Sequence, residues 1–307
     1  MTTPVLYRQP LEHELERTYE IFLEASSDLN RQHGRASSPE SGTPRLRALA
    51  FRRNALRHDP ERFWVAEADG LLVGFGAAVQ RDRVWHLAAL HVVPAFQALG
   101  VGSELLRRCL EASPPGTLYT VVSDSVNPVS NAMYAKRGML PQVALLHLEG
   151  PTEPVTRATP PASVTFEPFP PGGAHPALLG VIDVAVLGCS RPQDHVLWAS
   201  VPDLAGFYVR SGASVAGYMY VAGTGALGPC AVLRSEDFAP AIGLAIEAAR
   251  AMGSATAKVR MSSAARPAIA DLLGRGFRYG PAIGLLLTSE TWGQMDRYVS
   301  SGGDALF

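Results

Sequence analysis

The sequence predicts an α/β (α+β) chain built as two tandem copies of one fold. Each copy is a mixed, mostly antiparallel central sheet with one βαβ unit and flanking helices. Three observations lead there. A proline-rich seam divides the 307 residues near their middle, the segments on either side follow the same order of strands and helices, and a glycine-bearing turn joins a strand to a helix in the first half. A chain of this length passes the roughly 250–300 residues at which single cores stop growing, so two domains are expected.

In the first half, Leu11 to Leu29 carries apolar residues at helical spacing. Pro44 to Leu56 does so again after a Gly/Ser/Pro loop from Gly34 to Gly42. Phe63–Glu67 and Leu71–Val79 flank an Asp69-Gly70 hairpin turn, and Val84–Val93 reads as a third strand. A helix to about Ala112, a strand at Leu118–Val122, a helix at Pro128–Arg137 and a strand at Gln142–Leu148 follow. Val84–Val93, its helix and Leu118–Val122 form a βαβ unit, so those two strands are expected to be parallel.

The seam runs from Gly150 to Ser163, where Pro151, Pro154, Pro160 and Pro161 stand among threonines. That composition favours an extended connector, giving domains 1–150 and 164–307 with a linker at 151–163. Beyond it the pattern gives a strand at Val164–Phe166, helical pieces at Leu178–Val186 and Asp194–Ser200, and strands near Phe207–Val209, Val215–Val221 and Ala231–Leu233. A helix at Glu236–Met252, a strand at Ala257–Met261, a helix at Pro267–Arg275 and a strand at Ile283–Thr288 complete it.

Composition excludes several classes. Lysine and arginine number 27 against 28 for aspartate and glutamate, leaving no global field for nucleic acid or an anionic membrane. The basic stretch from Arg45 to Arg57 falls at helical spacing and reads as a solvated face. Cys109, Cys189 and Cys230 are widely spaced with no Cys-x-x-Cys grouping, so neither a metal nor a disulfide framework is expected. The N-terminus lacks a basic segment followed by an apolar one, and the run Ala177–Cys189 is interrupted by Asp183. A cytoplasmic protein is expected.

The turn Gln97-Ala98-Leu99-Gly100-Val101-Gly102 lies between Val93-Pro94 and the amphipathic stretch opening at Ser103-Glu104. Such a turn leaves backbone N–H groups at the positive end of a helix dipole, and its glycines let an anion approach the main chain. A phosphorylated ligand is expected there. A Walker loop would need Gly-Lys-Ser/Thr, and Ser103-Glu104 follows Gly102. A dinucleotide fingerprint would need a third glycine where Leu105 stands.

With a second motif, Asn127-Pro-Val-Ser130-Asn-Ala-Met-Tyr134-Ala-Lys-Arg-Gly138-Met139, the first half resembles the GNAT superfamily of acetyl-CoA-dependent N-acetyltransferases. The family pattern places alanine where Ser130 stands and phenylalanine where Met139 stands. The resemblance implies that amides of Ala98, Leu99, Gly100, Val101, Gly102 and Ser103, with Gln97 in the same motif, hold a CoA pyrophosphate. It implies that backbone groups at Leu90 and Val92 pair with the pantetheine arm, that the N–H near Leu90 faces the thioester oxygen, and that Asn127 contacts the CoA arm. Tyr134 corresponds to the acid that protonates the CoA thiolate.

Of two carboxylate positions used as base in some members, one is occupied here by His86 and the other by Val122. Histidine titrates near neutral pH and is a competent base, directly or through water. Asp124 is a second candidate. His91, which alternation puts on the face opposite Leu90, is read as packing. The acceptor expected is a small-molecule or peptide amine. Near the Gly34–Gly42 loop, Glu40 alone gives no cage of carboxylates for a polyamine or aminoglycoside.

The corresponding turn of the second half, Leu233-Arg234-Ser235-Glu236-Asp237-Phe238, has no glycine pair. Its acids complement the helix dipole themselves and would repel a pyrophosphate. Leu272 stands four residues before Gly276, where an acid tyrosine is expected. One working cofactor site per chain follows. The first half also lacks a closing strand after Leu148, and the second half is expected to cover that edge. Two alternatives stay open: an acyl-CoA sensor without turnover, and a tandem acyltransferase resembling mycothiol synthase, a family whose active copy is the second one.

Overall fold

The computed structural model describes residues 4–35, 42–153, 164–170 and 172–300. Its elements are β1 (Leu6–Arg8), α1 (Leu15–Gln32), α2 (Gly42–His58), β2 (Phe63–Ala68), β3 (Leu71–Arg81), β4 (Val84–Val92), α3 (Val101–Glu111), β5 (Leu118–Asp124), α4 (Pro128–Ala135) and β6 (Leu140–Pro151). There follow β7 (Thr165–Pro168), α5 (Pro176–Leu187), α6 (Pro192–Ser200), β8 (Leu204–Ser211), β9 (Ser214–Ala222), β10 (Ala226–Val232), α7 (Phe238–Ala251), β11 (Thr256–Ser262), α8 (Arg266–Gly274), β12 (Arg278–Thr288) and β13 (Tyr298–Val299). Two compact units result. The first comprises residues to Leu140 with Leu287–Glu290, and the second Pro141–Leu286 with the segment from Thr291.

These units do not follow the 1–150, 151–163 and 164–307 division. The strand expected to end the first domain, β6, runs antiparallel to β11 from Thr256↔Pro151 to Ser262↔Leu145, inside the second unit. The edge of β5 is taken instead by Leu287–Glu290, where the Ser289 N–H donates to the Tyr119 carbonyl at 2.9 Å. The Tyr119 N–H returns to Ser289 Oγ at 3.0 Å, and Arg83 pairs with Glu290. Most of the proline-rich connector, 154–163, and Glu40 lie outside the described residues.

The first unit orders its strands β1-β2-β3-β4-β5, antiparallel except for β4 and β5, which run parallel as the βαβ reading requires. Trp85 faces α3, its indole N–H donating to the Cys109 carbonyl at 3.1 Å. Opposite it, Phe75 and His91 pack toward α1, where His91 meets Phe22 edge-on at 5.2 Å between ring centroids. Gly74 and Gly76 sit beneath α3, and a Cβ on Gly76 would stand 3.1 Å from Cys109 Sγ, so glycine lets helix and sheet close together.

The second unit places β6 between β12 and β11, and continues from β10 through β9 and β8 to β7. Phe238, Ile242, Ala245 and Ile246 of α7 pack with Val209, Met219 and Val221 in its core. Alternation turns Tyr218 and Tyr220 to the other face, toward α5 and α6, where Arg191, Asp183 and His195 are buried. Strand β10 begins five residues before the expected Ala231, because the Gly/Pro punctuation of Gly223–Pro229 hides its start. The three cysteines are buried and form no disulfide among the described residues, where no helix is long and apolar enough to cross a membrane.

Candidate active site

The site is built where β4 departs from β5. Register pairs Val84↔Leu118 through Leu87↔Val121 and ends there. At the same point β4 carries an extra residue against β3, Ala77 pairing with Ala89 and Ala78 with Leu87. A bulge of this kind bends its strand and reverses the side-chain alternation. Trp85 faces α3 before it and Leu90 and Val92 do so after it, while His86 and His91 face the other way. Beyond Leu87, Ala88–Val92 has β3 on one side and, among the described residues, no strand on the side toward β5.

The glycine turn completes the end of this opening. Ala98 (φ 61°) and Gly100 (φ 83°) both take left-handed backbone, which turns the chain into α3 with Gly100 as its N-cap. Glu104 N–H reaches the Gly100 carbonyl at 3.1 Å. Among the described residues no acceptor takes the N–H groups of Ala98 through Ser103. Six consecutive amides at a helix N-terminus make an anion cradle. Gln97 acts differently from its neighbours: its side-chain amide donates to the Val92 carbonyl at 2.9 Å and fastens the turn to β4. The Val101 side chain is buried and Leu99 is exposed, so only their main chains can face an anion.

Helix α4 lies beside this turn, Ser103 Oγ approaching Met133 Sδ at 3.6 Å. Asn127 caps the helix, accepting from Ser130 N–H at 3.0 Å, and Pro128 occupies the first turn. Among the described residues the amide nitrogen of Asn127 has no partner. Gly138 (φ 82°) ends the segment, and Met139 N–H returns to the Tyr134 carbonyl at 3.2 Å. This gives the motif's glycine a physical reason, and buried Met139 supplies the apolar contact that follows such a cap.

Tyr134 is buried on the α3 side, close to Cys109. Burial raises its phenol above the usual tyrosine range, a hydrogen bond with Ser130 offsetting part of the shift. It is therefore protonated at neutral pH. His86 is buried on the opposite face, its Nδ1 3.0 Å from Thr120 Oγ1. Thr120 Oγ1 spends its own proton on the Trp85 carbonyl at 3.2 Å, so it accepts from His86 and the ring proton resides on Nδ1. The second nitrogen is the basic one.

Asp124 is held elsewhere: Oδ2 takes Arg35 at 2.6 Å and Oδ1 takes the Val126 N–H at 3.1 Å. Burial and the neighbouring Arg52 charge push His91 down to about 3, so it stays neutral. Thr120 and Arg35 were not legible as site residues, because cross-strand register and a contact between residues 89 apart leave no periodic mark. Among the described residues no group of three or more His, Cys, Asp and Glu could hold a metal.

The second unit repeats this plan without the cradle. In the first unit four residues, 97–100, separate the short helical turn Pro94–Phe96 from α3. In the second, Ser235–Asp237 runs directly into α7.

Residues 15–139 match the model of the acetyltransferase (GNAT) family. No curated protein sequence matches the chain. Among solved structures, a Pyrococcus horikoshii protein assigned as an acetyltransferase is 16% identical over 97% of this chain and 94% of its own, with a TM-score of 0.72. A GCN5-related N-acetyltransferase from Sphaerobacter thermophilus is 14% identical over 96% and 100%, with a TM-score of 0.60. A tandem GNAT protein from the clavulanic acid biosynthesis pathway is 17% identical over 94% and 99%, with a TM-score of 0.58. At such identities the likeness is one of fold, and it extends over both units. Residues 15–139 thus match the acetyltransferase (GNAT) family, and over both units the chain shares the fold of these solved acetyltransferases.

Proposed function

We propose that the first unit transfers acetyl from acetyl-CoA to a primary amine by direct attack. The observation that carries this reading is the row of six amides, Ala98 to Ser103, that meet no acceptor among the described residues, at the mouth of an opening between parallel strands. The residues suit the cofactor: an anion cradle at one end and, along Ala88–Val92, a strand edge that no other described strand covers. When bound, acetyl-CoA supplies the acyl group already activated as a thioester.

The amides of Ala98 to Ser103 hold the pyrophosphate, with Gln97 keeping the turn against β4 and the Asn127 amide reaching the CoA arm. Main-chain groups at Leu90 and Val92 pair with the pantetheine arm, and the Leu90 N–H faces the thioester oxygen, where negative charge develops. Tyr134, neutral because it is buried, donates its proton to the departing sulfur. His86 accepts the amine proton at Nε2, directly or through water, while Thr120 fixes its tautomer. The two groups stand on opposite faces of the sheet, so the amine arrives from the α1 side and the thiol leaves on the α3 side.

The acceptor is a small-molecule or peptide amine. The reading also makes the chain cytoplasmic, acting without metal, nucleic acid or membrane. A screen of amines, amino acids, peptides and aminoglycosides for CoA-thiol release, with the product identified by mass, tests it. Saturable release with at least one amine supports transfer, and acetyl-CoA binding without release from any class refutes it.

A further inference from the structure

The second unit repeats the opening of the first and fills it. Strand β10 pairs in parallel with β11 at Ala226↔Lys258 and Leu227↔Val259, gains an extra residue against β9 between Leu227 and Cys230, and then leaves β11. Between the separated strands lies β13. It is antiparallel to both, with Cys230↔Val299 and Ala231↔Tyr298 on one side and Met261↔Val299 on the other.

The residues just before β13 follow the same groove. Val232 N–H donates to the Arg297 carbonyl at 3.3 Å, and the Arg297 guanidinium donates to the Leu233 carbonyl. Asp296 Oδ2 accepts from Ser235 Oγ at 2.5 Å, at the short turn that leads into α7. A carboxylate thus sits beside the structural counterpart of the anion cradle.

Two further features fit β13 to its place. A Cβ on Gly228, in the bulge, would stand 2.6 Å from the Ser300 carbonyl oxygen and 2.7 Å from Val299 Cγ1, so glycine is needed for the strand to come so close. Tyr298 Oη accepts from Arg191 Nη1 at 3.1 Å. Arg191 is itself buried and paired with Asp183 at 2.9 Å. Asp183 also takes Tyr218 Oη at 2.6 Å and His195 Nε2 at 2.8 Å. The buried charge network of α5 and α6 therefore ends on the inserted strand.

We infer that the second unit is a strand-binding groove whose ligand is the chain's own Asp296–Ser300 segment, seated where the first unit offers its edge to the pantetheine arm. The comparison with pantetheine rests on the proposed function; the seating of the strand does not. The ligand class is extended main chain, taken up by strand addition. Its occupancy leaves one cofactor site per polypeptide.

The test uses the full chain carrying Val299→Cys, which sets a second thiol opposite native Cys230. Mild oxidation is expected to join the two, with coenzyme A binding still at one per chain and its Kd within twofold. Hydrogen exchange is expected to show residues 298–300 protected with or without coenzyme A. A second variant, Tyr298→Phe, is expected to speed exchange in that segment about 10-fold, as loss of a hydrogen bond to a charged group implies, without affecting the first unit. Rapid exchange of residues 298–300 in the unaltered chain overturns the inference. So does a second bound coenzyme A that disappears on oxidation. If coenzyme A binds nowhere, the cofactor reading fails, while disulfide formation and exchange still decide whether the strand is seated.

Discussion

Thr120 accepts a hydrogen bond from His86 Nδ1 at 3.0 Å and passes its own proton to the Trp85 carbonyl at 3.2 Å, so one threonine sets the tautomer of the candidate base. Thr120→Val removes that acceptor while nearly preserving shape. It is expected to lower kcat about 10-fold and to shift the acidic limb of the pH–rate profile, with Thr120→Ser restoring both. His86→Gln is expected to lower kcat by about 10²–10³-fold, in the range of a lost general base. An unchanged pH profile in both variants would assign His86 to packing.

Tyr134→Phe deletes the phenol hydroxyl and keeps the buried ring. Thiol release is expected to fall about 10²–10⁴-fold while coenzyme A affinity stays within a few-fold. Equal losses in binding and turnover, read by titration and initial rates, would make Tyr134 an anchor of the fold.

The pH dependence of stability has a defined sign at His91. Its folded pKa of about 3 lies below the ordinary 6.5, so the unfolded chain binds the extra proton between these values. The contribution is fully present above pH 6.5 and is lost as pH falls toward 3, with a slope of up to about 1.4 kcal/mol per pH unit. Urea midpoints of the first unit between pH 7 and 5 should fall accordingly. His91→Gln should flatten that dependence.

At Asp183, burial raises the carboxyl, but the Arg191 charge and the His195 hydrogen bond outweigh it and hold the group at about 2. Folded pKa below the ordinary 3.8 means stability present above that value and lost as pH falls through 2. Asp183→Asn leaves Arg191 buried without its counter-charge. It is expected to cost about 3–5 kcal/mol, read by denaturant unfolding of the second unit. A loss under 1 kcal/mol would show the pair to be replaceable.

The glycine turn and the Asn127–Met139 helix were legible because their residues act locally: Gly100 and Gly138 adopt left-handed backbone, and Asn127 caps the helix it precedes. Pairing over distance was not legible. Strand β6 has the alternation of any strand, and nothing in it announces that β11 is its neighbour. Strands β1 and β13 have three and two residues, too few for a period to register. The loss of the cradle in the second unit could be read from Ser235-Glu236-Asp237, whereas the strand filling its groove could be found only from register.

Whether the turn Ala98–Ser103 grips the phosphate end of the cofactor is tested most directly by calorimetric titration of the full chain with acetyl-CoA and, in parallel, with acetyl-pantetheine, which lacks the pyrophosphate and the phosphorylated adenosine beyond it. One acetyl-CoA per chain is expected, with acetyl-pantetheine binding weaker by at least about 100-fold, or about 2.8 kcal/mol. Equal affinity for the two compounds, or two acetyl-CoA molecules per chain, would contradict this expectation.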